Sequence, residues 1–345
     1  MVDGTFSSKQ SIPDQQFYPL SFFQTLCYVF YWIVTTPIKR LLGGKPPVDG
    51  WSIRTEIATK LLALVFSAEI TSARKVNSNI TYLGNLTLKT RLTPLKTDKF
   101  EAIWYGDAMD DASDANLLYI HGGAFVLCRA DTNAEAITGM VSNVKTQYGK
   151  TLVALGLDYK LAPEAKFPSQ LHEALAAYEY LTTRSSKPIL LLGNSAGGNL
   201  VLSLLLALKL PENKHLRSPA AAAVVSPWCQ LDFSNIAPSY TKNQKSDYLA
   251  AGTLSHHVGG YVGSASVKDP LVRTNLPQGY VYGGGKEVFQ DDIEALVGVL
   301  KEQQVDVTAV KNPLAPHDTP MMPALYGDMA LSGGQVIAAF LAKHA

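Results

Sequence analysis

The sequence predicts an α/β fold, a mostly parallel sheet flanked by helices, and three observations predict it. Short apolar runs alternate with helical patterns along most of the chain. The runs are apolar throughout rather than at every second position, as strands covered on both faces must be. No internal repeat, low-complexity tract or Gly/Ser linker interrupts the alternation. Strands are placed at 117–120, 152–157, 189–192, 221–225 and 280–282, each closing near Gly, Asp or Pro, with 305–310 as the last. Helices fall between them at 134–148, 171–183, 196–209 and 288–303. The 345 residues then divide into an N-terminal helical region, 1–90, and one α/β domain, 91–345. Within the first region, 53–66 reads as an amphipathic helix.

Composition narrows the function classes. With 30 basic against 29 acidic residues the net charge is +1, which gives no basic surplus for a nucleic-acid partner. Hydrophobic residues at 47% against 17% charged exclude a disordered chain and require a large core. Cys27, Cys128 and Cys229 are too widely spaced for a metal site or a disulfide framework. No feature sets an oligomeric state or a compartment.

Part of the apolar surplus lies in 15–38, which has no charged residue and is thick with Phe, Tyr and Trp. It has the length of a membrane span. Pro19, Gln24, Thr25 and the tyrosines also suit a helix lying in the interface, so membrane association through 15–38 is expected in one form or the other. A packed helix is the alternative. The stretch lacks the flanks of a cleaved leader. Lys39, Arg40 and Lys45 follow it and only Lys9 precedes it, which favours a cytosolic domain, whereas the acceptor tripeptides at Asn79 and Asn85 would have meaning only in a lumen.

Three segments carry chemistry. Gly193-Asn194-Ser195-Ala196-Gly197 is a G-x-S-x-G placed directly after one predicted strand and directly before a predicted helix. A serine on such a turn is a nucleophile presented in a strained conformation, with helix N–H groups beside it that favour developing negative charge. His121-Gly122-Gly123-Ala124-Phe125 closes another strand, and the N–H groups of Gly122 and Gly123, with that of Ala196, are expected to bind an oxyanion. His121 is read as holding this loop by hydrogen bonding.

A general base should follow late in the chain if the order is Ser, acid, His. Of the seven histidines only His317 and His344 lie well downstream, and His344 is read as sitting at a frayed terminus. His317, in the loop after the last strand, is the expected base. The acid that orients it should follow the strand 280–282, where Glu287, Asp291 and Asp292 are available. The aspartates suit a helix N-terminus for the dipole alone, which leaves Glu287.

These residues resemble the hormone-sensitive-lipase-like branch of the α/β-hydrolase superfamily. HGGAF is similar to its HGGGF motif, GNSAGG to its GDSAGG, Asp158 to Glu164 (DYKLAPE) to its DYxLAPE, and Ser226-Pro227-Trp228 to a segment usual there. Ala124, Asn194 and Glu287 stand where the family more often has Gly, Asp and Asp. The GGGKEVFQDDI segment and the apolar N-terminus look closest to fungal members, steryl acetyl hydrolases and esterases of secondary metabolism among them.

The resemblance implies an α/β-hydrolase fold with an N-terminal helical cap, and DYKLAPE as a supporting loop without catalytic carboxylates. It also implies a serine carboxylic-ester hydrolase acting on short-acyl esters of hydrophobic alcohols, with Ser195, His317 and Glu287 as triad. Such a mechanism needs no metal or organic cofactor. Amide or formamide hydrolysis, or biosynthetic acyl transfer or cyclisation, could run at the same site. A small-molecule receptor on the same fold is the rival of another class, and retention of His317 argues against it.

Overall fold

The computed structural model describes residues 21–108, 112–263 and 279–345. Eight strands form one sheet: β1 (Leu92–Lys96), β2 (Glu101–Tyr105), β3 (Ala115–Ile120), β4 (Leu152–Leu157), β5 (Ile189–Asn194), β6 (Ala221–Val225), β7 (Gly279–Gly284) and β8 (Val307–Asn312). Their order is β1-β2-β4-β3-β5-β6-β7-β8. β2 runs antiparallel to β1 and β4, and the remaining neighbours are parallel. The helices are α1 (Phe22–Leu41), α2 (Ile53–Ser67), α3 (Ile70–Asn85), α4 (Ala134–Tyr148), α5 (Ser169–Arg184), α6 (Ala196–Ala207), α7 (Ser239–Lys242), α8 (Ala251–Val262), α9 (Gln290–Glu302), α10 (Pro323–Tyr326) and α11 (Asp328–His344).

The continuous apolar runs have the expected cause. Every residue of β3, β5, β6 and β7 is buried, because helices cover both faces. Alternate side chains separate two cores. Leu118, Ile120, Leu191 and Val224 pack with Leu171, Leu200, Leu204 and Leu300 of α5, α6 and α9. Leu117, Tyr119, Leu190, Leu192 and Val225 pack with Ile137, Met140, Ile337 and Leu341 of α4 and α11.

The structure corrects several expectations. The antiparallel pair β1 and β2 was not expected, and neither were α3, α8 and α11. His344 is not frayed; it ends α11, with its ring 4.7 Å from Phe340. The inward face of α2 is Thr55, Glu56, Ala58, Thr59 and Leu64, as polar as it is apolar, so its burial rests on polar pairing as well as apolar area. Buried Glu56 meets Arg40 of α1 at 3.2 Å and Lys60 at 2.6 Å, and Lys60 also lies 4.3 Å from the Trp32 ring centroid.

Among the described residues no helix is long and apolar enough to cross a membrane. The stretch 15–38 becomes helical at Phe22, and its first six residues lie outside the described residues. α1 starts on a capping box in which Ser21 and Gln24 satisfy each other's backbone N–H groups. Of its described side chains only Thr25 and Thr36 are buried, while Phe23 is 74% and Phe30 72% exposed.

Candidate active site

The site is assembled at the carboxyl ends of the strands. β5 ends at Asn194 and α6 begins at Ala196, so Ser195 alone makes the turn, with φ 51° and ψ −120°. The chain can turn there because α6 starts almost against β3: a Cβ on Gly197 would collide with the Ile120 and His121 carbonyl oxygens. Positive φ recurs around this point, at Ala124, Phe125, Cys128, Ser195, Ser226 and Asp318. Each costs roughly 1 kcal/mol or more in a non-glycine residue, and such strain concentrates where function over-determines the backbone. Ser195 is anchored by its own N–H to Val225 O at 2.9 Å and by Trp228 N–H to its carbonyl at 3.0 Å.

β8 feeds the histidine loop and β7 the acid. His317 Nδ1 lies 2.7 Å from Glu287 Oε2, and both side chains are fully buried. Glu287 Oε1 accepts from the Ser226 hydroxyl at 3.1 Å and from Gly284 N–H. Burial pushes the Glu287 carboxyl upward, and these two donors oppose it by favouring the anion. The imidazole stands edge-on to Phe289 and Tyr248, at centroid distances of 5.0 and 5.6 Å. Its Nε2 has no hydrogen-bond partner among the described residues.

The oxyanion loop departs from expectation. Gly122 N–H donates to Asn194 Oδ1 at 3.1 Å. The N–H groups of Gly123, Ala124 and Ala196 meet no acceptor among the described residues. The unpartnered set is thus Gly123, Ala124 and Ala196, where the expectation from sequence names Gly122, Gly123 and Ala196. Gly123, at φ 101°, must be glycine, since a Cβ would strike the Leu127 carbonyl. His121 holds the loop from beneath, its Nδ1 2.7 Å from Gly122 O and its ring stacked 4.1 Å from Tyr159. A carbonyl only accepts, so Nδ1 carries the proton, and burial pushes the ring down to about 4, leaving it neutral.

Three DYKLAPE side chains reach the surroundings of this loop. Asp158 accepts from Arg129 at 2.6 Å and from Ala130 N–H, Tyr159 donates to His121 O at 2.9 Å, and Glu164 pairs with Arg74 of α3 at 2.8 Å. Asp291 and Asp292, the rejected acids, accept from Ser239 N–H and the Tyr240 hydroxyl instead.

Three residues were not foreseen. Asp247 accepts from His317 N–H at 3.3 Å and from Val288 N–H at 2.7 Å, gripping the backbone of base and acid together. Ser226 bonds Glu287 and accepts from Asp318 N–H at 3.1 Å. Asp318 accepts from Asn194 Nδ2 at 2.6 Å, and its Oδ2 is 3.7 Å from His317 Nε2. Ser226 lay in a noticed segment, and Asp318 adjoins the predicted base; Asp247 has no signal in the sequence.

The sheet order, with a serine on its central strand-to-helix turn and a His–carboxylate pair on the last two strands, defines an α/β hydrolase. The family model described as alpha/beta hydrolase fold matches residues 117–321, and the chain belongs to that family, in its hormone-sensitive-lipase-like branch. It is 30% identical over 203 residues to an acetyl-hydrolase of Streptomyces hygroscopicus, covering 56% of this chain and 64% of the relative. It is 29% identical over 211 residues to a putative steryl acetyl hydrolase of Schizosaccharomyces pombe, covering 55% of each. The chain thus spans less than two thirds of the length of these curated relatives. A crystal structure of an esterase from the bacterial hormone-sensitive lipase family superposes with a TM-score of 0.74 at 25% identity, covering 86% of this chain and 99% of that one.

Proposed function

We propose that the protein is a serine carboxylic-ester hydrolase. The observation that carries the reading is Ser195 strained at φ 51° between β5 and α6, with a buried His317–Glu287 pair 2.7 Å apart on the neighbouring loops. Ser195 attacks the ester carbonyl carbon as its hydroxyl proton passes to His317 Nε2. Glu287 holds the imidazole by Nδ1 and balances the imidazolium. The N–H groups of Gly123, Ala124 and Ala196 receive the oxyanion. Collapse of the intermediate expels the alkoxide, which takes the proton from His317. Water then attacks the acyl-serine with His317 again as base, releasing the acid and restoring Ser195.

Short acyl groups on hydrophobic alcohols suit the surroundings. Phe66, at the end of α2, has its ring centroid 5.3 Å from that of Tyr248, which in turn contacts His317. Arg74 of α3 donates to Val126 O and Ala162 O, and Trp51 Nε1 donates to Leu314 O in the histidine loop at 2.8 Å. These contacts support α2 and α3 as the cap over an apolar pocket, and the acetyl-hydrolase relatives support a small acyl group. A fluorophosphonate probe should label Ser195, and acetyl esters should be cleaved faster than longer esters or an aryl formamide. Absence of labelling where a control esterase labels would overturn the reading.

A second reading concerns placement. The exposed apolar surface of α1, with Lys39 and Arg40 in its last turn, supports a helix that lies in the headgroup region of a membrane without spanning it. Co-sedimentation with anionic vesicles tests it.

A further inference from the structure

Resting on the serine-hydrolase reading, we propose that Asn194 and Asp318 are a positioning pair that fixes the nucleophile's turn against the histidine's loop. Asn194 immediately precedes Ser195, and Asp318 immediately follows His317. Their side chains meet at 2.6 Å, Asn194 being 3% and Asp318 5% exposed. Both neighbouring backbones are strained, Ser195 at φ 51° and Asp318 itself at φ 55°, so each loop needs an external restraint to stay where it is.

The direction of the bond is determined. Asn194 Oδ1 faces Gly122 N–H, a pure donor, at 3.1 Å, and it also receives the Tyr119 hydroxyl at 2.8 Å. The amide cannot flip, so Nδ2 must face Asp318. Asp318 Oδ1 has no partner among the described residues, which leaves Asn194 the principal support of that carboxyl. One amide therefore joins three loops: oxyanion, nucleophile and histidine. It also explains the departure noted at this position. An aspartate at 194 would set two carboxyls face to face at hydrogen-bond distance; here the carboxylate stands at 318 and the donor at 194.

The charge balance around Asp318 supplies a distinguishing readout. His317, Glu287 and Asp247 face it, and burial raises its carboxyl to about 7. Tyr119, Tyr248, Tyr326 and Cys128 face it from other elements, all pushed up by burial and therefore neutral. In N194D the two carboxyls can approach only while they share a proton, so the defect must deepen as pH rises.

The test is hydrolysis of p-nitrophenyl acetate by the full chain across mildly acidic to mildly alkaline pH. N194D should lose about a hundredfold in kcat at alkaline pH, with little change in KM, and recover on acidification. The swap N194D/D318N should return to within about tenfold of wild type at every pH, because the donor and acceptor are merely exchanged. D318A should fall in kcat and D318N should rescue it, which keeps the test alive if N194D fails to fold. A swap no better than a folded N194D, an N194D profile parallel to wild type, or no difference between D318A and D318N would overturn the pair. Wild type that neither turns over esters nor labels at Ser195 would instead overturn the hydrolase reading.

Discussion

The loops at the carboxyl ends of the strands and helix α1 follow opposite rules. In the first, Ser195, Glu287 and His317 are nearly or fully buried, the backbone is strained at Ser195, Ser226 and Asp318, and buried hydrogen bonds tie the loops together. In the second, a capped helix with Pro37 inside it leaves Phe23, Phe30, Leu41 and the C-cap Leu42 between 72% and 83% exposed. The site keeps an unfavourable local geometry because dense packing and buried hydrogen bonds hold it. α1 has little packing and is joined to α2 through Arg40, which meets Glu56, and through Lys60, which meets the Thr36 hydroxyl and the Trp32 ring. A single atom should therefore matter greatly in one region and hardly at all in the other.

The largest effect is expected at Glu287. Replacing it by Gln leaves an amide that can offer Nδ1 the wrong partner and removes the counter-charge of the imidazolium. By analogy with triad acids, kcat should fall on the order of 10³–10⁴-fold while KM changes little. Steady-state kinetics on a short-chain ester would check it, and a loss under tenfold would remove Glu287 from the triad.

One substitution made twice sharpens the contrast. Gly197→Ala forces a Cβ into two immovable carbonyl oxygens of β3 and its loop, so stability should fall by about 3 kcal/mol or more and activity by about a hundredfold. Gly84→Ala, near the end of α3, meets open space, so it should be neutral or stabilise by up to about 1 kcal/mol through helix propensity. Urea titration of both variants would test it; equal costs would erase the distinction between the regions.

On α1, replacing Phe23, Phe30 and Leu41 together by Ser should leave stability within about 1 kcal/mol, since none is buried. Vesicle binding should weaken by about a thousandfold or more, as each of the three apolar side chains contributes roughly 1.5–3 kcal/mol on leaving water. Unchanged binding would show that α1 is not the membrane-facing element.

The same contrast governs what could be read in the sequence. β3 to β7 were legible because burial on both faces leaves an uninterrupted apolar run. β1 and β2 were not, since LTPLK and EAIWY are short and partly exposed. α11 carries Gly333-Gly334 in its middle, where the helix passes so close to Pro320 that a Cβ on Gly333 would need it to shift, and the pair disguised the helical pattern. Ser195, His317 and Glu287 stand out as candidates because each follows a strand in a recognisable neighbourhood. The bond from Gly122 N–H to Asn194 was not legible because it depends on a side chain 72 residues away. Asp247 was invisible for the same reason: it lies 70 residues from His317 and only the sheet order brings them together. Asn194 did leave a trace, a missing carboxylate before the serine.

The smallest effect tests where the buried network ends. Asp292 lies at the first turn of α9, half-buried, and accepts from the Tyr240 hydroxyl at 3.0 Å. Burial raises its carboxyl to about 6, with Asp291 adding to the rise and Tyr240 opposing it. A carboxyl whose folded value lies above its unfolded one is favoured protonated in the native state. Its contribution is therefore fully present below the ordinary value near 3.8 and is lost as pH rises through about 6. Asn at 292 mimics the protonated carboxyl and can still accept from Tyr240. D292N should thus match wild type in urea at pH near 4 and exceed it by about 1 kcal/mol at pH near 8. A gap that stays constant with pH, or opens toward acid, would mean that the α9 N-terminus solvates this charge well enough to place Asp292 with the exposed surface.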